Sequence, residues 1–500
     1  MSPSITQDGT RFRGIEQIYV IPFQIESTKP FNPDSPRLGD ENVLIQNPTI
    51  TQTGLVLNNN SHLYNVVKVP VKTNHVLAYG KAFDSGTISS KEGKHKNGVL
   101  TPSGLDDPNT PSDISFSLES ILTTGEENAI NQTANALIDA LNDVVDVLRT
   151  STDADIQSYL NAFTFKNHIL ACSYQTIYRL EQSVLGELSE YSGTNPVAIN
   201  AVMTKLSALQ AARNEAGSDF PASYGIPEGS IGMWWNGHKY VKVINGVNIS
   251  LVPESLYCYP PSLWYYANST VKTSDDDDMD LRYKPSYGSW DDILYFYTGS
   301  SVMPSTRSVA IVDQMEYGVG LVEFCFSASG SAAVVADGCP LTGIIIGDQK
   351  DVDYSFKTNQ SSESRFIYDN AISGITFNGT LQQSFQTLVL PTTAGQAVHF
   401  ALEFQNNTTS AFPCQQGTVM PGCKFYLAGE LKPGKGAKPD DDYTAGIFDA
   451  DHKTTVNVLV ISLDNVYNTV PDLRDPQLEL GIVAEMDWDQ LEPGGVKLPF

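Results

Sequence analysis

Positive charge is scarce in this sequence. Lys and Arg total 31 against 57 Asp and Glu, a formal net charge of −26 over 500 residues. Binding a phosphate backbone needs a basic surface, so nucleic acid is not expected as a partner. Docking on anionic lipid head groups is disfavoured for the same reason. Long apolar runs are missing too: none reaches the ~18 residues of a membrane helix. The opening "MSPSITQDGT" is polar from its first residue and does not read as a signal peptide. Such a start fits a cytoplasmic protein, or a mature or recombinant form whose leader has been removed.

Catalytic spacings are also absent. The seven histidines are scattered, with no HExxH and no partner four residues away. No GxSxG elbow and no CxxC pair occurs, which argues against a serine hydrolase and a zinc site. "GELKPGKG" (429–436) approaches a phosphate-binding loop, but Gly436 stands where magnesium needs Ser or Thr. "STVK" (269–272) has a β-lactamase spacing without the companion motifs. The acidic runs "SDDDDMD" (274–280) and "PDDDY" (439–443) lack the glycine and distal glutamate of an EF-hand and read as solvated loops. The expectation is a protein that is not an enzyme and needs neither cofactor nor metal.

Cysteine is sparse, at six residues. An even count permits disulfides in an oxidising compartment. Only Cys414 and Cys423, within "CQQGTVMPGC", are close in sequence, and a turn there would allow a bridge. Cys325, in "LVEFCFSA", reads as a small buried hydrophobe.

What is present suits a layered globular protein. Apolar residues make up 41% of the chain, with 28 Pro, 38 Gly, 21 Phe and 23 Tyr. Such a composition leans towards strands and turns. The length implies about two to four domains. Residues 1 to about 110 are strand-like, as in "IEQIYVIPF" (15–23) and "LYNVVKVPVK" (63–72). From about 112 to 215 the period becomes helical. Ile130, Ala134, Leu137, Leu141, Val145 and Leu148 form one apolar stripe. Further helices are expected at 153–163 and 167–190, and one opening on Asn195 as N-cap with Pro196 at its first position. Beyond about 225, strands return at 308–328, 340–347, 351–357, 386–391, 397–405, 424–431 and 454–463. Many strands at such spacing suggest a sandwich.

The most regular alternation lies near the C-terminus, in "LELGIVAEMDW" (478–488). Pro493, Gly494 and Gly495 then break the chain, and Val496, Leu498 and Phe500 alternate again. The first run is expected to close its own domain. The second is a candidate donor strand that reaches a neighbouring molecule.

Several blocks together resemble the fimbrillins of Bacteroidales, subunits of surface fimbriae. They are "TRFRGIEQIYVIPF" (10–23), "YPPSLWYYANSTVKTS" (259–274) with "SWDDIL" and "STRSVAIVDQMEYGVG" (305–320), "PLTGIIIGDQKDVDYSF" (340–356) with "FIYDNAI" (366–372), and "ISLDNVYNTVPDLRDPQLELGIVAEMDW" (461–488). The helical stretch 112–215 is the part least matched. The resemblance implies two tandem transthyretin-like β-sandwiches, here a domain 1–250 with the helical insertion and a domain 251–500. It implies export as a lipoprotein to the outer membrane and maturation C-terminal to an arginine, for which Arg11 and Arg13 are in place. It also implies polymerisation: a neighbour's C-terminal segment fills the groove that cleavage opens. The partners would be other fimbrial subunits, head to tail, with anchor or accessory subunits and a receptor that the sequence does not identify. The whole is a mainly β fimbrial subunit with an adhesive or structural role. A first rival is a monomeric glycan-binding surface protein using Trp234, Trp235 or Trp264 as a platform. A second is a β-sandwich hydrolase, which would need carboxylates converging in a pocket.

Overall fold

The computed structural model describes residues 15–25, 43–45, 49–53, 75–82, 98–163, 169–191, 195–243, 252–270, 316–328, 338–372, 383–414, 417–432, 446–460, 465–475 and 482–490. The protein is mainly β, with a helical layer inserted between its strands. Its centre is a sheet in the order Tyr257–Cys258, Arg365–Asp369, Leu341–Gln349, Val398–Gln405, Lys424–Leu431, Val466–Tyr467. Apolar residues occupy consecutive positions of these strands because both faces are covered. Ile344, Ile346, Phe400, Leu402 and Leu427 belong to one core, whereas Ile345, Tyr368, Ala401 and Tyr426 belong to another. The strand period of two sorts them.

The first of these cores is closed by a second sheet, Gln383–Val389, Gly320–Ala328, His452–Val460 and Ile482–Gln490 in that order. Phe324, Phe326, Val456 and Val458 point inward, and the Phe324 and Phe400 rings lie 5.4 Å apart across the interface. Close packing here depends on glycine. A Cβ added to Gly429 would stand 2.4 Å from the buried Phe400 ring. Gly429→Ala is therefore expected to destabilise the sandwich by about 1–3 kcal/mol through overpacking. A lower urea midpoint than wild type checks this; an unchanged midpoint would mean that Phe400 moves freely.

The opposite face of the central sheet carries the helices. Helix α1 spans Thr124–Thr150, and its buried residues include the whole predicted stripe plus Ile138 and Val144. Thr123 and Glu126 form a capping box at its start. Next come α2 (Ala154–Ser158), α3 (Tyr174–Ser189) and α4 (Pro196–Ala216). The Asn195 side chain accepts from the Ala198 amide, the N-cap expected there. The third helix starts later than its apolar pattern suggests. Ile169–Ala171 is a strand paired with Gly232–Trp235, and Ser173 caps the helix from outside. The helical core is continuous with Ile345, Phe366, Tyr368, Ala401 and Tyr426 of the central sheet. The region expected to associate with the first domain is thus built onto strands from the second half of the chain.

A third sheet has Ile15–Ile25 at its middle. Val43–Ile45 and Thr49–Thr53 flank one side, followed on the other by His75–Ala82, Trp264–Thr270 and Glu316–Tyr317. Backbone pairing of Trp264–Thr270 with His75–Ala82 crosses the 250/251 division. Val76, Leu77, Ala78 and Tyr79 are all buried, so this sheet too is covered on both faces. One cover is a small sheet, Val352–Asp353, Ser115–Leu118 and Leu100–Ser103. Phe116 stacks on Phe356 at 4.4 Å and meets Trp264 edge-on at 5.2 Å. The strand expected over 351–357 stops after Asp353. Its carboxylate accepts from the amides of Ser355 and Lys357, which folds the chain into a turn and drops Phe356 into the core. The predicted run 63–72 and both acidic loops lie outside the described residues.

Candidate functional site

A buried polar centre joins the helical layer to the central sheet. Glu403, 1% exposed, lies on Val398–Gln405 at a position that faces the helices. Lys424 Nζ donates to its Oε1 at 2.9 Å, and the Thr342 hydroxyl does so at 2.8 Å. Tyr426 donates to Oε2 at 2.9 Å, and Tyr368 approaches both oxygens at 3.2 Å. Tyr426 in turn accepts the Gly229 amide at 2.8 Å, which reaches into the chain beyond α4. Burial opposes ionisation of Glu403, yet Lys424 and the hydroxyl donors hold its carboxyl below the ordinary value. Two glycines make room. A Cβ at Gly343 would meet the Tyr368 ring at 2.8 Å, and one at Gly229 would meet Tyr426 at 2.5 Å.

Beside this centre, between α3 and the segment 417–424, is a cavity of about 50 Å³. Arg179, Lys424 and Glu228 contribute its charged groups, and Leu170, Leu180 and Val419 its apolar wall. Cys423 also lines it. Burial, with Glu228 adding to the effect, pushes its thiol up to about 12. The thiol is therefore protonated at neutral pH and a poor nucleophile. The sequence reading singled out none of Glu403, Lys424 or Arg179. A Glu at an inward-facing position of the apolar run "AVHFALEFQ" was the one available signal.

Arg11, Arg13, Val496, Leu498 and Phe500 lie outside the described residues, and Arg11 and Arg13 precede the strand Ile15–Ile25 in sequence. Cys423 carries a free thiol in this structure; Cys414 is on the strand Phe412–Cys414, and its side chain is outside the description. Trp235 and Trp264 are buried, at 7% and 1% exposure, and Trp234 is half-buried. A glycan platform thereby loses two of its three rings. Among the described residues, no group of three or more His, Cys, Asp and Glu is placed to hold a metal ion. No described helix is long and apolar enough to cross a membrane.

The C-terminal run is a strand of its own chain. Ile482–Gln490 pairs antiparallel with His452–Val460, with Trp488 opposite Thr454 and Met486 opposite Val456. It forms the edge of the second sheet; among the described residues no strand lies beyond it.

The fold and this edge define a layered, mainly β protein with a helical layer on one sheet. No protein-family profile matches the chain, and no curated protein does. Among solved structures it is similar to a candidate cell adhesion protein from Bacteroides uniformis, at 14% identity over 35% of this chain and 52% of that one, with a TM-score of 0.19. A candidate cell adhesion protein from Parabacteroides distasonis matches at 11% identity over 47% of this chain and 66% of that one, TM-score 0.28. One from Bacteroides eggerthii matches at 11% identity, 46% and 64% coverage and TM-score 0.26. The chain spans about half the length of the first of these proteins and just under two thirds of the other two.

Proposed function

We propose that this chain is a structural and adhesive subunit of a bacterial surface fimbria. In this reading it is exported to the outer membrane as a lipoprotein precursor and performs no catalysis. The β-rich layers correspond to two transthyretin-like sandwiches, the second formed by the central sheet and the sheet ending in Ile482–Gln490. Cleavage after Arg11 or Arg13 would leave the strand Ile15–Ile25 on the mature subunit.

The observation that carries the reading is the position of Ile482–Gln490 at a sheet edge. The strand that precedes residues 491–500 in sequence is thus at an edge rather than inside a sheet, among the described residues. In the sequence, the turn signal Pro493–Gly494–Gly495 separates the alternating Val496, Leu498 and Phe500 from that strand. An extended segment that enters an open groove gains main-chain hydrogen bonds and seats alternate side chains in pockets. Contact from one end of a subunit to the other end of the next is heterologous and grows filaments. Deleting 491–500 is expected to abolish polymerisation while leaving the monomer folded. Polymer assembly of the processed subunit, followed by electron microscopy and size-exclusion chromatography, is the measurement. Polymers of unchanged length would overturn the donor-strand role.

A further inference from the structure

We infer that the cavity between α3 and the segment 417–424 is a binding site for a short aliphatic monocarboxylate. The inference does not depend on the fimbrial reading. Its centre is Arg179. The Nε of this residue donates to the Pro421 carbonyl at 3.0 Å, which fixes the guanidinium plane, and the Tyr178 ring lies 5.7 Å from its central carbon. No carboxylate engages its Nη atoms among the described residues. In a chain with 57 acidic against 31 basic residues, a half-buried arginine left without one is unusual. The two Nη groups form a fork that matches a carboxylate with two parallel hydrogen bonds.

The surroundings restrict what the fork can take. Lys424 also lines the cavity, but Glu403 and Thr342 engage its ammonium. Glu228 repels anions from its own part of the wall, so a carboxylate belongs at the Arg179 end. Gly422, at φ +81, stands against that end; its Cβ position lies 3.5 Å from Arg179 Nη2. Leu170, Leu180 and Val419, all buried, offer an apolar surface for a tail. At about 50 Å³ the space admits a few carbon atoms, less than the ~150 Å³ cavity that accommodates benzene.

The test is calorimetric titration of the full chain with butyrate at neutral pH, with butylamine and n-butanol as length-matched controls. Saturable binding of butyrate alone is expected. Arg179→Gln should weaken it by roughly tenfold or more, and Arg179→Lys by less, since lysine keeps the charge and loses the fork. Absence of saturable butyrate binding overturns the inference. So does binding of butylamine or n-butanol as tight as that of butyrate, or unchanged affinity in a folded Arg179→Gln chain. Should that variant fail to fold, the comparison of the three ligands on the wild-type chain decides by itself.

Discussion

Glu181→Ala is expected to destabilise the α3–α4 pair by about 3–5 kcal/mol, the usual cost of leaving one member of a buried ion pair without its partner. Glu181 and Arg213 each expose 3% of their side chains and meet through two bonds, Nε to Oε1 at 2.8 Å and Nη2 to Oε2 at 3.0 Å. Burial works against the guanidinium's charge, but Glu181 holds its pKa above the ordinary value. The tyrosine rings of α3 complete the setting, with Tyr174 at 4.4 Å and Tyr178 at 5.0 Å from the guanidinium carbon. Nη1 is buried and takes no hydrogen bond among the described residues, so the ring faces are its principal neighbours. In Glu181→Ala the cation remains with the two tyrosine side chains and no carboxylate. Replacing both members, as Glu181→Leu with Arg213→Met, removes the stranded charge and should cost much less. Hydrogen exchange of the α3 and α4 amides measures the effect locally. Equal losses in the single and double variants would show that packing, not charge, holds the two helices together.

The second large effect is expected at Glu403. Alanine there leaves the Lys424 ammonium, two buried tyrosine hydroxyls and Thr342 without their common acceptor, at about 3–5 kcal/mol. Glu403→Gln keeps the shape and two polar groups and should cost less. The same residue predicts a pH dependence. Its folded-state pKa lies below the ordinary 4.5, so the unfolded chain binds the proton more readily than the folded one. The contribution is complete above the ordinary carboxylate range and is lost as pH falls through the lowered folded value. Asp369 has the opposite sign. Burial raises its pKa despite the Ala371 amide at 3.0 Å and the Thr387 hydroxyl at 2.7 Å, so it favours the folded state more as pH falls through its raised value. Thermal melting against pH should therefore show a loss below 4.5 that is smaller in Glu403→Gln, where Glu323 still contributes with the same sign. A wild-type profile superimposable on that of the variant would remove Glu403 from the acid response.

Legibility in the sequence followed the range of the interactions. The α1 stripe and the Asn195–Pro196 helix start were readable because helical period and capping are local. The strand expected at 424–431 is found as Lys424–Leu431. The start of α3 was not readable. "HILACS" suits a helix as well as a strand, and the pairing of Ile169–Ala171 with Gly232–Trp235, far along the chain, decides it. The turn at Asp353 was missed because "DVDYSFK" alternates well, while the carboxylate that ends the strand acts on amides only a few residues away. Glu181 and Arg213 lie 32 residues apart on different helices, so no local pattern joins them.

By itself the sequence determined the mainly β character, the helical interval with the stripe of α1, and the Asn195 cap. Its acidity set the expectation against partners that need a basic surface. Only the tertiary structure decided what covers each face. It set the helices against the central sheet, placed Glu403 and Lys424 in one buried centre, and left Ile482–Gln490 at an edge. The reason is physical. Periodicity is a property of neighbouring residues and fixes the direction in which each side chain points. Which surface it meets there depends on contacts between segments distant in the chain, and a single sequence carries no local record of them.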